Sequence, residues 1–177
     1  LDGRLWRGSH GMAGEVGHMV VRPGGALCTC GNRGCLEALA AGPAIARRMR
    51  AALPEGSSSS PILQIAGGDR MAITAEMVFR ASRQGDALAS AVIEEIAEDL
   101  GLAIAMLCSI VDPQRVILGG GVAKAGEHLL APVRRAFARY AFPMLVHQVS
   151  IVQAAALDEG GILGAVALVA DAATRDT

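Results

Sequence analysis

The stretch "GDALASAVIEEIAEDLGLAIAMLCSIVDPQRVILGGG", residues 85–121, restricts the fold more than any other part of the chain. Gly85-Asp86 opens a long helix that is expected to run to about Ile110. Its first half is amphipathic, with Glu94, Glu95, Glu98 and Asp99 expected together on one side. Its second half is apolar all round and is expected to be buried. Asp112-Pro113 stops the helix, and "RVILGG" reads as a buried strand entering a glycine-rich turn. Hydrophobic residues make up 52% of the chain but aromatics only 3%, so the apolar mass is Ala, Leu, Val and Ile. That mixture suits helices packed on a sheet better than an all-β sandwich.

Elsewhere the pattern also alternates between strands and helices. "VGHMVV" (Val16 to Val21) reads as a short β-rich run, and "CLEALAAGPAIARRMRAAL" as helix, split at Gly42-Pro43 where proline suits the first helical position. "PEGSSSSP" is a low-complexity loop, and Thr74 is expected to cap a short helix through about Ser82. After the glycine turn come a helix from about Glu127 to Tyr140, a strand in "HQVSIVQAA", and a last helix from about Gly161 to Ala172. The fold class is therefore α/β. The chain opens on "LDGRLWRGS", where Asp2-Gly3 has the form of a hairpin turn; a hairpin that opens at its own turn reads as a piece of something longer.

The totals limit function. A net charge of −1 with no basic block is not the footprint of a nucleic-acid binder. The longest charge-free apolar runs, Leu100 to Val111 and Gly160 to Ala170, fall short of the roughly 20 residues of a membrane helix. Three of the four cysteines lie within eight residues, and clustering of that kind points to metal in a cytoplasmic setting more than to a disulfide framework.

"GEVGHMVVRPGGALCTCGNRGCLE", residues 14–37, carries that cluster. Cys28, Cys30 and Cys35 share one loop in which Gly31 and Gly34 permit tight folding, and His18 lies ten residues before the first thiol. Three thiolates and an imidazole make a structural zinc set. A redox pair would want C-x-x-C at a helix start, which is absent. Cys108, inside the apolar run, is expected to be a small buried residue and no ligand. Glu15 and Glu37 flank the site. Glu37 at a helix start is also favoured by the helix dipole. A zinc-bound histidine needs a partner for its second ring nitrogen, and a polyhydroxylated ligand between Glu15, His18 and Glu37 would supply it.

Gly119, Gly120 and Gly121 follow the strand in "VILGGGVAKAG". Such a turn allows close approach of a nucleotide, and equally serves as an ordinary strand-to-helix connection; it is neither the Walker pattern nor G-x-G-x-x-G. His10, His128 and His147 are given no role.

Taken in order, "GEVGHMVV", "CTCGNRGCLE", "VDPQRVILGGGV" and "DEGGILGA" closely resemble the ROK family of bacterial sugar kinases and sugar-responsive repressors. The resemblance implies an actin-like or hexokinase-like fold of RNase H type, with residues 1–177 forming the C-terminal, sugar- and zinc-binding domain. It implies His18, Cys28, Cys30 and Cys35 as zinc ligands, Glu15, His18 and Glu37 as contacts to sugar hydroxyls, and Gly119 to Gly121 as the adenosine-side turn. The family's D-x-G-G-T phosphate loop, its asparagine-aspartate pair with the general base, its G-T-G loop and the repressors' winged helix have no counterpart in these residues. The implied activity of the complete protein is transfer of the γ-phosphoryl of ATP, with Mg2+, to a glucose-like hexose, in a homodimer or higher homo-oligomer. The competing expectation is the sugar-binding effector domain of a repressor, and the plainest is a fold relic with purely structural zinc.

Overall fold

A computed structural model describes residues 5–56 and 60–175; the hairpin turn expected at Asp2-Gly3 lies outside the described residues. Helices α1 (Leu36–Ala40) and α2 (Gly42–Ala52) are separated at Ala41, with Pro43 in the first turn of α2 as its fixed φ favours. Helix α3 (Pro61–Ile65) is capped by Ser60, and α4 (Ala75–Arg83) by Thr74, whose hydroxyl accepts from Met77 N–H. The long helix α5 (Ala87–Val111) is capped by Asp86. That carboxylate is buried and serves two elements, accepting from Ala89 N–H at 3.0 Å and, with its other oxygen, from Ile62 N–H at 3.1 Å.

Strand β1 (Arg115–Leu118) runs parallel to β2 (Ser150–Gln153), Val116 opposite Ile151. Between them lie α6 (Glu127–Tyr140) and α7 (Pro143–Gln148), and α8 (Gly160–Arg175) follows. The α/β class holds, with a two-stranded parallel sheet among the described residues. No helix of the described residues is long and apolar enough to cross a membrane.

Helices α2 to α6 share one core in which Ile45, Met49, Ile62, Val78, Ile96, Leu129 and Val133 are fully or almost fully enclosed. Each such aliphatic side chain contributes about 1.5–3 kcal/mol on burial. Helices α5 and α6 pack closest at Gly101, where an added Cβ would lie 2.4 Å from Ala136 Cβ. Helix α5 ends in a left-handed residue, Asp112 (φ 47°), whose N–H returns to Cys108 C=O before Pro113.

Four expectations are corrected. Val16 to His18 form a 3-10 turn, and only a single bridge, Val20 with Cys35, resembles strand pairing. The apolar end of α5 is buried on one face (Ala103, Ile104, Ala105, Cys108) but exposes Met106, Ile110 and Val111. Strand β1 alternates between exposed and half-buried positions, with Ile117 exposed. Asp99 does not join the other acids at the surface: it is 1% exposed.

Candidate functional site

The cysteine loop is shaped by its glycines. Cys28 N–H donates to Asn32 C=O at 2.8 Å and Gly31 N–H to Cys28 C=O at 3.0 Å, closing a tight turn around Thr29 and Cys30. Gly34 (φ +82°) donates to Ala26 C=O, while its carbonyl accepts from both Val21 and Arg22. A Cβ at Gly34 would lie 1.6 Å from the Arg22 carbonyl oxygen, so no other residue fits without moving the chain. Cys35 then leads into α1, and Leu36 N–H bonds Met19 C=O, drawing the His18 turn against the loop.

These contacts gather His18, Cys28, Cys30 and Cys35, whose donor atoms all lie within 4.8 Å of one another. His18 Nδ1 is 3.6 Å from Cys28 Sγ, and Cys30 Sγ is 3.7 Å from Cys35 Sγ. A tetrahedron with metal–ligand bonds of about 2.1–2.3 Å has edges of about 3.5–3.8 Å, so the set fits zinc in donor type, number and spacing. Cys108 lies apart, in the core, with its thiol pushed up by burial.

Without metal the thiols are unequal. Cys28 is drawn down to about 6, chiefly by the backbone N–H of Cys30 and further by His18 and the other thiols. Cys35 is pushed up to about 12, first by burial and then by its thiol neighbours. His18 is raised above the ordinary imidazole value, chiefly by its hydrogen bond with Cys28. These shifts favour a Cys28 thiolate beside a protonated His18, and a divalent cation bound to the set would have to displace the remaining protons.

Glu15 Oε2 lies 3.8 Å from His18 Nε2, and Glu37 Oε2 lies 3.7 Å from His18 Nδ1. Both carboxylates are substantially exposed beside a half-exposed imidazole. Two acceptors and a ring nitrogen at these separations can bracket a small polyol.

Gly119, Gly120 and Gly121 lie elsewhere, after β1 and before the 3-10 turn Val122–Ala125. Gly120 has φ +82°, and Gly121 lines a cleft of about 1040 Å³ that is also lined by Pro43, Thr74 and Phe79. Lys124, which also lines the cleft, is ion-paired with Asp158 of the "DEGG" segment, and Gln153 Nε2 donates to Ala123 C=O at 2.7 Å. Glu15, His18 and Glu37 are not among the cleft's lining residues.

One group escaped the sequence reading. Asp99 on α5 accepts from Arg22 Nε on the cysteine loop with one oxygen, and from Arg48 Nη2 on α2 at 2.5 Å with the other. Its spacing did carry a signal. Val92, Ile96, Asp99 and Ala103 fall on one helical stripe, and all four are buried.

The sequence pattern of the ROK family matches residues 1–172. The glucokinase of Thermotoga maritima is 38% identical over 167 residues, covering 94% of this chain and 52% of that protein. The DNA-binding transcriptional dual regulator NagC of Escherichia coli is 34% identical over 168 residues, covering 95% of this chain and 39% of the regulator. Among solved structures, a ROK family glucokinase from Streptomyces griseus in complex with glucose and AMPPNP superposes with a TM-score of 0.85 at 34% identity, over 93% of this chain and 54% of that one. The chain thus spans about half the length of these glucokinases, and it belongs to the ROK family.

Proposed function

We propose that these residues form the sugar- and zinc-binding part of a ROK-family hexose kinase. The complete protein would move the γ-phosphoryl of ATP, with Mg2+, to a hydroxyl of a glucose-like sugar. The observation that carries the reading is the convergence of Glu15, Glu37 and the two nitrogens of His18 beside a complete zinc donor set. Zinc, when bound, supplies a rigid tetrahedral cross-link to the loop. The chain's own residues do the rest: the thiols fix His18, Glu15 orients its outer nitrogen, and the two carboxylates accept from sugar hydroxyls. The cleft beside Gly121 is assigned to the nucleotide, whose backbone-close approach the glycines permit. The general base is assigned to none of these residues, because none falls on the family's asparagine-aspartate pair.

Titration calorimetry of the zinc-loaded chain with glucose tests the reading. Saturable binding, weakened about tenfold or more in both Glu15→Gln and Glu37→Gln, is expected for lost hydrogen bonds to a polar ligand. ATP-dependent hexose phosphorylation by these 177 residues alone would contradict it. The likeness to NagC supports a second reading, a sugar-binding effector domain of a transcriptional regulator. Sugar binding is common to both readings. Phosphoryl transfer by the complete protein separates them.

A further inference from the structure

We propose that Arg22, Asp99 and Arg48 form a positioning clamp that seats the cysteine loop on the helical body and so sets how long the loop keeps its metal. The proposal rests on the zinc reading above, and reaches residues outside the donor set. Arg22 belongs to the loop in a specific way. Its carbonyl lies against Gly34, immediately before Cys35, and accepts from Gly25 N–H at 2.9 Å. Its own N–H donates to Gly34 C=O at 3.2 Å. The backbone of Arg22 is thus part of the fold that carries the thiols, while its side chain leaves the loop and ends on Asp99 of α5.

Asp99 suits an anchor. It is 1% exposed, and both of its oxygens are engaged, one by Arg22 and one by Arg48. Arg48 comes from α2, and Glu95 lies 3.7 Å from its Nη1, so two acids balance two arginines. A buried carboxylate between two guanidinium groups is directional, because each fork must meet its own oxygen. The helices that present Asp99 and Arg48 also carry Ile96, Ile45 and Met49 of the main core, so the anchor is rigid. The loop's other end is fixed where Cys35 enters α1, which buries Ala38, Leu39 and Ala40. Without the clamp the loop would be seated on the body only by its backbone bonds to Met19 and Gly34 and by Val21 packed on Leu39 and Ala103, a looser hold on the donors.

The test is zinc release to an excess of a chromophoric chelator, followed at a temperature where every variant is folded by circular dichroism. Arg22→Met keeps the stem of the side chain and leaves the Asp99–Arg48 pair in place, so the body is preserved. Release from Arg22→Met is expected to be about tenfold faster than wild type, the low end of the loss that follows removal of groups that orient metal ligands. Arg135→Met, which breaks an ion pair with Glu94 between α6 and α5 and touches no member of the clamp, should release zinc at the wild-type rate. A wild-type rate in Arg22→Met, or equal acceleration in Arg135→Met, would overturn the clamp while leaving the zinc reading intact. A wild-type chain that binds no zinc would remove both.

Discussion

At the scale of single residues, Gly34 is the least replaceable position in the loop. Its φ of +82° and the 1.6 Å approach of a Cβ to the Arg22 carbonyl combine backbone strain of about 1–3 kcal/mol with a direct overlap. Gly34→Ala is expected to lose stoichiometric zinc by elemental analysis while α2 to α6 keep their helical signal. Gly31→Ala, where nothing lies within 4 Å, meets only the φ penalty and should keep its metal. The thiols give a pH dependence of definite sign. With Cys35 pushed up to about 12, zinc must displace its proton at neutral pH, so apparent affinity should fall at least about tenfold per pH unit from about pH 9 to about pH 7. His18, raised above the ordinary imidazole value, takes up its proton first and the Cys28 thiolate follows at about 6, so the fall should steepen towards acid pH. Competition with a chelator of known pH dependence measures both slopes. The glycines and thiols at this scale were legible from spacing alone. Which thiol is acidic was not, because that depends on Cys30 N–H pointing at Cys28 and on the enclosure of Cys35.

Elements come next. Glycine inside an exposed helix costs about 1 kcal/mol against alanine, so Gly101→Ala would ordinarily stabilise α5. Here the added Cβ would sit 2.4 Å from Ala136 Cβ and 2.6 Å from Phe137 N, and overpacking should cost about 1–3 kcal/mol instead. Urea denaturation reads the sign directly. Asp86→Ala should cost about 2 kcal/mol, since one carboxylate caps α5 and also holds the start of α3, whereas Asp86→Asn keeps an acceptor for Ala89 and should cost less. The Thr74 cap and the α1–α2 break could be read in the sequence, because capping chemistry acts within a few residues. The expected strand at Val16 to Val21 could not hold. Its β-rich residues meet a partner at one bridge only, and the 3-10 turn is stabilised by His18 N–H to Glu15 C=O and Met19 N–H to Val16 C=O. Helix α7 was also missed: the expected strand began at His147, but His147 and Gln148 close a helix that has Pro143 in its first turn, and β2 starts only at Ser150.

For the whole molecule, the core and the metal site are separate cooperative problems. The main core contains Cys108 but none of the loop thiols: Cys28 and Cys35 pack with Ala38 in a small cluster of their own, and Cys30 is exposed. Chelation should therefore lower the melting temperature by the zinc linkage term, about 4 kcal/mol at a thousandfold excess over Kd, without erasing the helical spectrum. A chain that unfolds completely on chelation at 25 °C would show that the metal holds the core as well. By itself the sequence determined the α/β class, the approximate extents of α4, α5 and α6, and the family, and it singled out His18 with three cysteines as a candidate metal cluster, because each depends on residue type and short-range spacing. Tertiary structure alone decided that Asp99 faces inward, that the end of α5 is buried on one face only, and that His18 comes within 4.8 Å of three thiols and within 3.8 Å of two carboxylates. Those outcomes depend on partners far away in sequence: Arg22 is 77 residues from Asp99, and Arg48 is 51. Only folding sets which charges meet at such separations, and a buried carboxylate is tolerable only where they do.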